Sequence, residues 1–188
     1  MVTKSPPRSR KERRPPRPLD ARRLNDLALH YVARFATSGA KLRDYLKRKL
    51  RERGWEGDGE PGLEALVERF AAAGYIDDEA YARAKSGSLL RRGYGERRIG
   101  QALGAAGIAE GIRDEVRASL GEQRQAALAF AAKRRFGPFG PPPADRAARE
   151  KQIAAMLRAG HPLESARALL GAADEAAARD WADRAGDE

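Results

Sequence analysis

The chain of 188 residues has no cysteine, so it can form neither disulfides nor thiolate metal sites, and it has no catalytic thiol. It has two histidines, His30 and His161, which lie far apart in sequence and give no HExxH-type ligand pair or recognisable catalytic triad. Aromatic residues make up only 6%, so no large aromatic core is available. No apolar run reaches the roughly 18 residues a membrane span needs. The amino terminus is basic but lacks the apolar segment of a secretory signal. Neither a GxxxxGK[ST] nor a GxGxxG element occurs, so no nucleotide site is supported.

Positive charge is abundant. The 37 Lys and Arg outnumber the 27 Asp and Glu, a formal charge of +10, and the pI is about 10.3. That balance points to a polyanionic partner, nucleic acid first. Charge is also polarised along the chain. Residues 1–18 hold five prolines and seven cations against one acid. Such a segment buries too little apolar area to offset its ordering entropy, so a disordered basic arm is expected, either a tether to DNA or a plain unstructured end. Residues 172–188 carry six acids and two arginines and are expected to form an acidic, partly helical tail.

Between these ends the pattern is helical. Alanine and leucine dominate, and no alternating Val/Ile/Thr run has strand length. Asp20 is placed to cap a helix reaching about Thr37, with Leu24, Leu27, Ala28, Tyr31 and Phe35 on one face. Ser38 caps the next, which stops at Gly54. Asp77 caps a helix with Asp78 and Glu79 in its first turn, where carboxylates favour the dipole; capping accounts for these acids, so no metal site is assigned to them. Further helices are expected near 96–106, 110–119, 122–136, 144–159 and 162–170, with His161-Pro162 as a cap and first-turn proline.

Gly54, Gly107 and Gly160 are each 53 residues apart, and each has an apolar residue four positions upstream: Leu50, Leu103 and Met156. A period of this size predicts tandem helical modules whose neighbours complete each other's cores. The expected fold is all-α, an elongated, curved array of three three-helix repeats at 19–76, 77–120 and 121–171.

The segments Gly74-Tyr75-Ile76-Asp77-Asp78-Glu79-Ala80-Tyr81-Ala82, Arg92-Gly93-Tyr94-Gly95 with Arg98-Ile99, and Ala106-Gly107-Ile108 resemble the RecX family of RecA regulators. Tyr45-Leu46-Lys47-Arg48-Lys49-Leu50 and Ala155-Met156-Leu157-Arg158-Ala159-Gly160 agree with it. The resemblance covers about residues 24–171. It implies binding to the RecA filament and to single- and double-stranded DNA, modulation and chiefly inhibition of filament growth, strand exchange and ATP turnover, and no chemistry of its own. The basic arm, the proline-rich loop Phe136–Pro143 and the acidic tail depart from the family pattern.

Candidate contact residues follow from charge. Arg43, Lys47 and Arg51 recur every four residues, widened by Arg48 and Lys49. Like charges at that spacing repel by about 0.2–0.5 kcal/mol per pair, so the stripe is either a screened solvated face or a phosphate-tracking one. Arg91, Arg92, Arg97 and Arg98 bracket Gly93-Tyr94-Gly95, where Tyr94 is read as packing inward. Lys133, Arg134 and Arg135 end a helix, where cations also favour the dipole. No cofactor, metal or membrane is expected; a cytoplasmic, nucleoid-associated monomer is. A stand-alone helix-turn-helix-like DNA binder is the alternative.

Overall fold

The computed structural model describes residues 17–184, and these are all-α: ten α-helices and one short 3-10 turn, with no strand among the described residues. The helices are α1 (Ala21–Arg34), α2 (Gly39–Arg53), α3 (Leu63–Ala72), α4 (Asp78–Arg91), α5 (Glu96–Gly104), α6 (Glu110–Glu115), α7 (Leu120–Arg134), α8 (Arg146–Arg158), α9 (Leu163–Leu170) and α10 (Glu175–Asp183). The basic-arm expectation falls mostly outside the described residues. Its last two residues are held in place: Arg53 donates to the Arg17 carbonyl at 2.8 Å and Arg23 to the Pro18 carbonyl at 2.8 Å.

Short polar side chains set the helix starts. Asp20, Ser38, Asp77, Ser119, Asp145 and Asp174 each accept from a first-turn backbone N–H, which satisfies one of the donors a helix start leaves unpaired. Ser119 and Glu122 form a reciprocal capping box. Three boundaries differ from expectation. α1 ends at Arg34, short of Thr37, with Phe35 already in extended backbone. α6 ends at Glu115, and Leu120 instead opens α7 because Ser119 caps there. His161 caps nothing; Pro162 holds the N-cap position of α9 and the imidazole is buried.

Buried side chains fall into three clusters. The first includes Leu24, Leu42, Leu46, Leu66 and Phe70 of α1–α3, with Leu19 and Ile76. The second includes Ala82, Leu89, Ile99 and Leu103 of α4 and α5, with Ala106 and Ile108. The third gathers Ala127, Phe130, Ala131, Met156 and Leu169 from α7–α9 and extends into α10 through Ala178 and Ala182. Burying a leucine or phenylalanine fully stabilises by about 1.5–3 kcal/mol. The alanine-rich third cluster offers less per residue.

The joints between clusters are polar and backbone-built. The turn ending α5 lies against the start of α2: the Ser38 hydroxyl donates to the Ala106 carbonyl at 2.5 Å, and the Gly39 N–H donates to Asp78 at 2.9 Å. The turn ending α8 lies in the same way against the start of α5, where Gly95 donates to the Ala159 carbonyl at 2.9 Å and Arg97 to the Gly160 carbonyl at 3.3 Å. α5 has no side-chain cap, so the last carbonyls of one helix satisfy the first N–H groups of another. At these two joints the partly negative end of the later helix meets the partly positive start of the earlier one. Gly107 and Gly160 have φ of 70° and 100° and leave no room for a side chain: a Cβ on Gly107 would fall 2.2 Å from the Ala40 Cβ, and one on Gly160 would fall 2.5 Å from the Arg98 nitrogen. Gly54 has no such neighbour; its carbonyl accepts from Leu19 at 2.9 Å.

Candidate nucleic-acid interface

The candidate cations do not share one surface. On α2, Arg43 is half-buried and paired with Glu64 of α3 at 2.8 Å. Lys47 and Arg51 are exposed and flank a concavity that also includes Asp44 and Leu50. Arg48 lies 3.7 Å from Glu52 and sits over the Tyr45 ring. The hydrogen bond from Lys49 holds the Glu52 carboxyl below its ordinary range, helped by the nearby charges of Lys49, Arg48 and Arg51. This part of the stripe is therefore already half neutralised.

Around the Gly93-Tyr94-Gly95 turn the arginines diverge. Arg97 donates to the Leu157 carbonyl and so belongs to the joint. Arg91 lines a groove between α4 and α7 that Glu122 also lines. Arg92 and Arg98 converge. Arg92 stacks over Tyr94 at 5.2 Å, and together with Arg98, Lys85 and Gln101 it lines a concavity of about 340 Å³. A second concavity, of about 460 Å³, adjoins it and shares Tyr94 and Arg98; Phe130, Arg134 and Arg158 complete its wall. Arg134 stacks over Phe130 at 5.6 Å. Lys133 and Arg135 are exposed at the end of α7, and Arg135 itself is in the left-handed conformation at φ 56°.

The fold thus brings together Lys85, Arg92, Arg98, Arg134 and Arg158 from α4, α5, α7, α8 and the turn after α4. None of the five makes an ion pair among the described residues. Tyr94 packs against both the second and third clusters, so its ring is the floor between the two concavities. Sequence reasoning passed over Lys85 and Arg158. Lys85 is seven residues, two helical turns, before Arg92, and that spacing was the available signal; Arg158 carried none, because its α8 reaches this groove only through the joint.

Unpaired arginines and a lysine around a shallow groove suit the phosphates of an extended polyanion, which give affinity without reading sequence. Arginine stacked on an aromatic ring loses little freedom when it then binds a phosphate. Among the described residues no group of three or more His, Asp or Glu is placed to hold a metal, and no helix is long and apolar enough to cross a membrane.

Comparison with known proteins places the chain. A family model described as "RecX, second three-helix domain" matches residues 77–116. Regulatory protein RecX of Myxococcus xanthus is 34% identical over 175 residues, covering 87% of this chain and 94% of its own. Regulatory protein RecX of Halorhodospira halophila is 33% identical over 152 residues, covering 81% and 89%. The crystal structure of RecX from Lactobacillus salivarius has the same fold, with a TM-score of 0.60 at 17% identity over 80% of this chain and 96% of that one. The chain belongs to the RecX family of regulatory proteins.

Proposed function

We propose that the chain is a non-enzymatic regulator of RecA. It binds the RecA–DNA filament, and DNA itself, through the basic groove between the second and third clusters. By occupying that position it inhibits filament growth, strand exchange and ATP turnover. It acts as a monomer, in the cytoplasm at the nucleoid. The observation that carries this reading is the convergence of Lys85, Arg92, Arg98, Arg134 and Arg158 around Tyr94, together with family membership.

The groove supplies phosphate contacts on a surface built by four helices and a turn. A filament that presents DNA along its length offers such a surface many equivalent phosphates. Lys47 and Arg51 on α2, and Lys133 and Arg135 at the end of α7, are further exposed cations available to the filament outside the groove.

The test is to add the full chain to RecA assembled on single-stranded DNA and follow ATP hydrolysis and filament length. Wild type lowers both, and the variant R98E/R134E lowers them much less. No effect of wild type at saturating protein overturns the reading. The rival, a stand-alone sequence reader, would require strong preference for one duplex over its scrambled counterpart at fixed salt; the phosphate-based reading expects near-equal binding.

A further inference from the structure

A second feature lies away from the basic groove, where α1 turns into α2. Phe35 follows the last residue of α1 in extended backbone, φ −136° and ψ 124°, and is 54% exposed. It continues the apolar stripe of α1 in sequence, yet the helix stops one residue before it and the ring is left in solvent. It is not isolated. Tyr31 lies 5.3 Å from it at 47°, and Tyr31 is stacked on Tyr45 at 4.3 Å and 17°. Three cations frame this row of rings: Arg34 is 5.9 Å from the Phe35 centroid, Arg48 is 5.5 Å from that of Tyr45, and Lys49 is 5.9 Å from it.

We propose that Phe35, backed by Tyr31 and Tyr45 and framed by Arg34 and Arg48, is a stacking platform for unpaired bases of single-stranded DNA. The proposal rests on the nucleic-acid reading above and adds to it a separate subsite with its own selectivity. An exposed ring offers a π-face that any base can stack on, and flanking cations meet the phosphates on either side; this pairing is how single strands are bound without sequence preference. A duplex cannot use it, because its bases already stack on one another. An apolar protein surface would match Phe35 but would leave Arg34 facing it without a counter-charge, since Arg34, unlike Arg48 with Glu52, has no ion pair among the described residues. The inner rings are structural: the Tyr31–Tyr45 stack joins α1 to α2 and fixes the position of Phe35.

The platform predicts a split that phosphate contacts alone do not. Binding of the full-length chain to a 15-nucleotide oligo-dT and to a 15-base-pair duplex is measured at one fixed salt concentration for wild type, F35A and F35Y. F35A is expected to weaken oligo-dT binding about tenfold, the loss of roughly one stacked base, with duplex binding unchanged. F35Y keeps the ring and is expected to bind both as wild type does. Matching circular dichroism melts establish that the variants fold. If F35A binds oligo-dT as wild type does, or weakens both ligands equally, the platform is wrong while the basic groove stands. If wild type binds neither ligand, both this inference and the DNA-binding reading fall.

Discussion

Alanine substitutions at the three evenly spaced glycines separate backbone strain from the role of the joints. All three have positive φ: 77° at Gly54, 70° at Gly107 and 100° at Gly160. An L-residue held at positive φ costs about 1–3 kcal/mol, and Gly54, with ψ 171°, lies in the extended part of that range that is essentially glycine's alone. Gly54→Ala adds nothing else, because a Cβ there has no neighbour within 4 Å. Gly107→Ala drives the new methyl to 2.2 Å from the Ala40 Cβ, and overpacking of this kind costs a further ~1–3 kcal/mol. Gly160→Ala meets backbone at the start of α5, including the Gly95 oxygen at 2.8 Å, which yields less readily than a side chain. Gly160→Ala is expected to destabilise more than Gly107→Ala, while at Gly54 the whole loss is backbone strain. A double-mutant cycle isolates the joint term. Ala40→Gly alone costs at most about 1 kcal/mol of helix propensity. Combined with Gly107→Ala it removes the clashing atom, so the cycle should show a favourable coupling of about 1–3 kcal/mol. For a chain of this size each kcal/mol moves the melting temperature by about 2–4 °C, which urea and thermal unfolding followed by circular dichroism both resolve. Zero coupling between positions 40 and 107 would refute the claim that the α5 turn docks against α2.

Two other outcomes follow from single residues. Arg135 is the one non-glycine among the described residues with positive φ, so Arg135→Gly should stabilise the fold by about 1 kcal/mol, seen as a raised urea midpoint. His161 is buried, its Nε2 3.0 Å from the Gly93 carbonyl and its ring beside Phe130. Burial lowers its pKa below the ordinary 6.5, opposed by the bond to Gly93. The unfolded chain therefore binds the proton more readily, so the contribution of this group is intact above pH 6.5 and declines as pH falls below it; urea midpoints at pH 7.5 and 5.5 should differ more for wild type than for H161Q.

What could be read from the sequence was what is local. Asp20, Ser38 and Asp77 mark helix starts because a cap bonds within three residues of itself. The 53-residue spacing pointed to corresponding turns, and Gly107 and Gly160 do occupy matching joints. Gly54 has the same flanks but faces Leu19, whose N–H donates to its carbonyl, and not the start of another helix among the described residues. The individual fates of the cations were not legible. Arg43 is taken up by Glu64 from α3 and Arg97 by a carbonyl of α8, partners 21 and 60 residues away. The groove around Tyr94 draws on four helices and a turn, so no window of sequence contains it. Phe35 fitted the stripe of α1 by period, but the helix ends at Arg34, and period says nothing about a residue beyond the last turn.

The salt dependence of binding tests the account at its centre. Each phosphate contact on a single strand contributes about −0.7 to the slope of log K against log salt. Oligo-dT binding by wild type and by R98A/R134A/R158A, titrated from low to high salt, should show the variant's slope shallower by about 2, with weaker affinity at low salt. Identical slopes and affinities for the two proteins would mean that the groove around Tyr94 touches no phosphate, and the proposed mode of binding would be wrong.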